Sequence, residues 1–87
     1  MLFRLFHALT PDRGWGEPPK FPEEYEEVAE VEANNQEDVF KLTNHDEWDM
    51  EEGIKVCVDS VRPTNVHDVV VSPNKTYLCE RIGWSTI

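Results

Sequence analysis

Residues 25–33 read Tyr25-Glu26-Glu27-Val28-Ala29-Glu30-Val31-Glu32-Ala33, and the period at which this stretch is read decides the fold. At helical spacing Tyr25, Val28, Ala29 and Glu32 share a face, and glutamate and alanine both favour a helix. At period two Tyr25, Glu27, Ala29, Val31 and Ala33 share a face, with Val28 among glutamates on the other. Pattern alone does not separate helix from strand. The residues immediately downstream favour the strand, because they carry a helix start of their own. Asn34 or Asn35 can cap, and Glu37 or Asp38 then falls in the first turn, where a carboxylate suits the helix dipole. Val39, Phe40 and Thr43 line one face of that helix, and Asn44 suits a left-handed stop.

Upstream, residues 1–9 (MLFRLFHAL) have Arg4 and His7 as their only polar side chains, which predicts a strand buried on both faces. Residues 10–24 (TPDRGWGEPPKFPEE) carry Pro11, Pro18, Pro19 and Pro22 with Gly14 and Gly16, too many breakers for a regular element. A loop this long in a small domain is usually functional or disordered. Downstream of the helix, residues 45–53 (HDEWDMEEG) read as an acidic loop. Ile54, Val56 and Val58 then alternate with Lys55, Cys57 and Asp59, and Arg62-Pro63-Thr64-Asn65 reads as a turn. Residues 69–71 and 76–81 flank Ser72-Pro73-Asn74-Lys75, a hairpin turn in which proline presets the second position. Gly83-Trp84 leads to a short apolar end at Ile87. These zones predict a single α+β domain over 1–87, with 10–24 as a long irregular loop. The expected architecture is one mixed or antiparallel sheet of about five strands with one principal helix.

Charge is distributed unevenly along this frame. Thirteen of the eighteen acidic residues lie between Glu23 and Glu52, answered only by Lys41, and the net charge is −10. Such a field repels nucleic acid, anionic membranes and acidic ligands, and attracts basic protein surfaces. It also repels itself, so salt or mild acid should stabilise the fold slightly. The apolar N-terminal stretch is too short to span a bilayer and lacks the basic start and cleavage site of a signal peptide. The expected compartment is therefore the cytoplasm, with Cys57 and Cys79 reduced.

Two stretches carry a resemblance. Val28-Ala29-Glu30-Val31-Glu32-Ala33 followed by Val39-Phe40-Lys41-Leu42-Thr43-Asn44 resembles the opening of small proteins found in phages, plasmids and integrated elements. Residues 62–71 (RPTNVHDVVV), with Tyr77 and Gly83-Trp84-Ser85-Thr86-Ile87, are similar to the signature of YodL-like proteins. Thr64 stands where that signature usually has serine, His67 where glycine is common, and Trp84 where phenylalanine is usual. The resemblance implies a small mixed α/β domain of mobile genetic elements, placed in the cytoplasm of a bacterial host, and favours the strand reading of 25–33. It implies no chemistry.

Each candidate site has a plainer reading beside it. Asp46, Glu47, Asp49, Glu51 and Glu52, with His45, could hold a hard divalent cation, but no glycine separates regularly spaced ligands as in a calcium loop. A solvated acidic loop is the preferred reading of them. His7, His45 and His67 with Cys57 and Cys79 lack the spacing of a zinc site, although the two cysteines could approach if their strand faces meet. Asp68 reads as a turn-fixing side chain that accepts backbone N–H bonds, rather than as a catalytic carboxylate. Trp84 reads as core, whereas Trp15 and Trp48 read as partner anchors or as covers for the core edge. Trp48 is the sharper anchor candidate because carboxylates surround it. The expectation is a non-enzymatic accessory protein with no metal, cofactor or catalytic residue. It would bind a basic surface of a host or element protein through Glu26, Glu30, Glu32, Asp46, Glu47, Trp48, Asp49, Glu51, Glu52 and Trp15, with no direct nucleic-acid or membrane contact. The alternatives are a DNA-mimic inhibitor of a nuclease, restriction, CRISPR or transcription complex and, behind it, a small enzyme using a carboxylate or a Cys–His pair.

Overall fold

Residues 25–32 are strand, and their partner is the N-terminal segment. The structure is a computed structural model that describes residues 1–10 and 17–87. Strand β1 (Leu2–Ala8) pairs antiparallel with β2 (Tyr25–Glu32) along its whole length. Helix α1 (Gln36–Thr43) comes next, then a 3₁₀ turn (Trp48–Met50), β3 (Ile54–Val56), β4 (Val69–Val71), β5 (Thr76–Cys79) and β6 (Trp84–Thr86). The strands form one six-stranded sheet in the order β3-β2-β1-β4-β5-β6, and every pairing is antiparallel. The domain is α+β as expected, with six strands instead of five. The added strand is β6, which the sequence presents only as a short apolar end. Its three residues carry no period of their own and are strand because Ser85 and its neighbours pair with β5.

Helix α1 begins where the sequence places it, with the Asn35 side chain accepting a hydrogen bond from the Asp38 N–H at 2.9 Å. Its end differs from expectation. Asn44 has φ −91°, outside the left-handed region. It stops the helix by side-chain bonding, with Nδ2 donating to the Thr64 carbonyl at 2.6 Å.

The period-two reading of β2 is broken by a bulge. Leu5 faces Ala29 and Phe6 faces Glu27, so Val28 is an extra residue in the ladder. Val28 and Ala29 are consequently both buried, and Tyr25 and Glu27 fall on the sheet face opposite Ala29 and Val31. On the helix side Phe3, Leu5, Ala29, Val31 and Val70 pack with Val28, Val39 and Trp48 into the main core. A smaller cluster of Ala8, Tyr25, Val69 and Leu78 lies on the other face, with Phe6 and Phe21 against it. Strand β1 is thus covered on both faces only toward its C-terminal end. At its start Leu2 and Arg4 are exposed, which corrects the expectation of a strand buried throughout.

Between β3 and β4 the chain crosses over the helix-side core, where Val58 and Val61 pack, to reach the far side of β1. The hairpin turn at residues 72–75 forms as expected, with the Ser72 N–H on the Lys75 carbonyl at 2.8 Å and the Lys75 N–H on Ser72 Oγ at 3.0 Å. No described helix is long and apolar enough to cross a membrane.

Candidate functional site

The acidic loop owes its shape to the residue in its middle. Trp48 is 0% exposed. Its indole N–H donates to the Arg62 carbonyl at 2.8 Å, and its ring meets His7 edge-on with centroids 6.1 Å apart. The expected role of Trp48 as a surface anchor is therefore overturned. Burying a large aromatic side chain whose polar atom is satisfied outweighs leaving it in water, and acidic neighbours do not change that. The burial has a consequence for the charges. With Trp48 directed inward, Asp46, Glu47, Asp49, Glu51 and Glu52 are all exposed. Glu51 lies 3.7 Å from His45 Nε2, and the other four carboxylates form no ion pair among the described residues. The loop's exposed apolar side chain is Met50, at 80% exposure, which sequence reasoning did not single out.

Glu47 adopts φ +63°, left-handed backbone that an L side chain occupies at a cost of about 1–2 kcal/mol. That conformation tightens the chain so that Met50 N–H reaches the Glu47 carbonyl at 3.0 Å and Trp48 can enter the core.

The strand glutamates sit elsewhere. Register places Glu30 and Glu32 on the open sheet face and Glu26, opposite His7, on the helix side. Glu32 accepts the N-terminal ammonium at 2.7 Å, and Glu30 lies across from Lys55. Neighbouring Glu27 takes both Arg4 Nε and Nη2, at 3.1 and 2.9 Å. The hydrogen bond and charge of Arg4 hold the Glu27 carboxyl below its usual range. The acids thus gather at the β2–β3 side of the sheet but on both of its faces. On the open face Glu27 and Glu32 are paired, whereas of the five loop carboxylates only Glu51 has a cationic neighbour among the described residues. Trp15 lies outside the described residues.

A second polar cluster is interior. Asp68, 1% exposed, accepts the N–H groups of Ala8 at 3.0 Å and Asn65 at 2.7 Å. Its two oxygens are also gripped by Arg62 Nη1 and Nη2, each at 2.8 Å. This is the turn-fixing role that the sequence predicts for Asp68. His7, at 3% exposure, shares a hydrogen bond of 3.0 Å with Thr64 Oγ1, and its Nε2 stands 3.8 Å from Asp68. Burial pushes the His7 pKa down to about 4, against the pull of Asp68 and with the help of Arg62. His67 has φ +71°, the backbone conformation glycine tolerates best. Sequence reasoning missed His7, Thr64 and Arg62 as members of this cluster, because no spacing announces contacts between β1 and a turn some sixty residues away.

The remaining chemistry is quiet. Cys57 is exposed and Cys79 buried, both are free, and three strands separate β3 from β5, so the two do not meet. Burial, then the charges of Asp68, Glu37 and Glu80, push the Cys79 thiol up to about 12, so it stays protonated and weakly nucleophilic. No group of three or more metal-ligating side chains comes together among the described residues. A recess of about 370 Å³ lies between the N-terminus and α1, lined by Met1, Glu32, Asn34, Asp38, Lys41 and Leu42, and neither His7 nor Cys79 reaches it. Comparison with family models, curated proteins and solved structures finds no match to the chain.

Proposed function

We propose that this chain is a non-enzymatic accessory protein of a phage or mobile element, acting in the cytoplasm of a bacterial host. It binds the cationic surface of another protein through the carboxylates of residues 46–52. One observation carries the reading. The acidic loop is rooted by a fully buried tryptophan, so its five carboxylates and Met50 are presented outward, with a single histidine answering them among the described residues. A solvated acidic tail would need no such root. An ordered display of charge lowers the entropy lost on docking and steers a basic partner. Met50, a flexible thioether side chain among the acids, takes the apolar part that the sequence suggests for Trp48.

The test compares the wild type with a variant carrying Asp46→Asn, Glu47→Gln, Asp49→Asn, Glu51→Gln and Glu52→Gln. Each is used to capture partners from host lysate at about 0.05 and 0.5 M salt, which brackets strong and weak screening. The wild type is expected to retain a basic protein at low salt only, and the amide variant to lose it. Equal capture by both chains refutes the proposal. Mimicry of DNA is the narrower version, in which duplex DNA displaces the captured protein. The pairing of Glu27 with Arg4, and of Glu32 with the N-terminus, weighs against a continuous phosphate-like row along β2.

A further inference from the structure

Strand β3 closes one side of the sheet, and among the described residues β2 is its only strand partner. The Glu32 N–H donates to the Gly53 carbonyl at 2.8 Å, and the Cys57 N–H to the Val28 carbonyl at 2.8 Å, so Gly53 and Cys57 turn their backbone groups toward β2. Backbone direction alternates along an antiparallel strand. Lys55, paired with Glu30, therefore also faces inward, and Ile54 and Val56 turn their N–H and C=O groups away from the sheet. None of these outward groups has a partner among the described residues. The side chains of Ile54 and Val56 are half-buried against the main core, which fixes the direction of the open backbone groups.

The opposite edge, β6, is also open, but its neighbours Glu80 and Arg81 are of mixed sign. The β3 edge is preceded by Asp49, Glu51 and Glu52 and followed by Asp59, and the one base within it, Lys55, points to the other face beside Glu30. We propose that β3 accepts an extended, cationic segment of a partner protein as an added antiparallel edge strand. The proposal rests on the acidic-docking reading and gives that reading a geometry. Side chains of the added strand lying opposite Ile54 and Val56 point to the helix side, where Trp48 packs with Ile54 and Val56 and roots the acidic loop. Those opposite Lys55 point to the other face. The edge thus selects a segment with lysine or arginine at every second position and uncharged residues between them. A second copy of this chain is a poor occupant, because β3 against β3 brings two uncompensated acidic loops together.

The probe is a blocked octapeptide of alternating lysine and threonine, added to the full-length isotope-labelled chain. Saturating peptide is expected to slow amide hydrogen exchange at Ile54 and Val56 at least ten-fold and to leave Lys55 and Cys57 unchanged. Residues directly opposite Ile54 and Val56 exchange hydrogen bonds with them. Methylating the lysine backbone nitrogens is therefore expected to weaken binding ten-fold or more, and methylating the threonine nitrogens to spare it. Any other methylation pattern, or unchanged exchange at Ile54 and Val56, overturns the added strand. These readouts use the wild-type fold and do not depend on a variant that could unfold. Binding that is indifferent to methylation yet lost in the five-amide variant refutes the edge and leaves acidic docking standing. Binding indifferent to the amides refutes acidic docking itself.

Discussion

Two turns of this molecule carry carboxylates beside a left-handed residue, and they handle charge in opposite ways. At residues 64–68, His67 has φ +71° and Asp68 is saturated by two backbone N–H groups and the fork of Arg62. The His67 N–H donates to the Cys79 carbonyl at 2.7 Å, and the His67 carbonyl accepts from the Tyr25 hydroxyl at 2.6 Å. At residues 45–52, Glu47 has φ +63°, and its carboxylate and three of its neighbours' find no cation among the described residues. A carboxylate answered on every side holds a fold together. A group of carboxylates held out by a buried tryptophan makes no such bonds, and it is this group that the proposed docking uses.

The comparison breaks most readily at Asp68. Replacing it with alanine leaves the N–H groups of Ala8 and Asn65 unpaired and strands the Arg62 guanidinium beside a buried histidine. Asp68→Ala is expected to lose about 4 kcal/mol, the usual cost of removing one partner of a buried ion pair. Urea denaturation checks this, and a loss below about 1 kcal/mol would place Asp68 among the dispensable acids.

His7 sharpens the contrast through pH. Its folded pKa, about 4, lies below the unfolded value near 6.5, so the neutral ring is the form the fold accommodates. The contribution is complete above pH 6.5 and is lost as pH falls through about 4, a swing of roughly 3 kcal/mol. The groups facing the ring are Thr64, Asp68, Arg62 and Trp48, and of these Asp68 favours the charged form and Arg62 opposes it. The exposed acids pull the other way, since their mutual repulsion weakens as they protonate. Stability of the wild type is expected to fall between pH 6.5 and 4.5, and that of His7→Gln to stay flat or rise. A wild type that gains stability over this range would show that the acidic surface outweighs the buried ring.

How far the two turns are legible in the sequence depends on the range of the forces involved. The Asn35 cap, the turn at residues 72–75 and the bond of Asp68 to the Asn65 N–H lie within a few residues, and the sequence states them, whereas the bond of Asp68 to Ala8 spans the chain. The strand identity of residues 25–32 needs β1 as partner, and the bulge at Val28 needs the register of that pairing, so period alone leaves the segment undecided. The burial of Trp48 is hidden for a similar reason. Its neighbours are acidic and mark a surface loop, which is correct for them, but the cavity that takes the indole is built by β1, α1 and the segment carrying Arg62. The partnership of His7 with Thr64 is likewise visible only once β1 is central.

Trp48 connects the two turns, because its indole reaches the carbonyl of the arginine that grips Asp68. Trp48→Phe keeps most of the apolar contact but orphans that carbonyl and leaves a gap, at an expected cost of about 2 kcal/mol. If the tryptophan is the root of the acidic loop, the exchange rates of the 46–52 amides rise more than those of β4 and β5. A uniform rise would mean the residue serves the core alone.

The smallest effect tests the loop most directly. Glutamate at φ +63° is strained, and glycine removes that strain while gaining entropy in the unfolded chain. The two contributions nearly cancel, so Glu47→Gly is expected to change stability by less than about 1 kcal/mol, on the stabilising side once the lost repulsion is included. Glu47→Gln keeps the strain and removes only the charge, so the difference between the two variants isolates the backbone contribution. If glycine is the more stable and the weaker in partner capture, the chain tolerates a strained backbone in order to keep this side chain. If both variants capture as the wild type does, the left-handed glutamate is only a way of turning Trp48 inward, and the charge at position 47 is incidental.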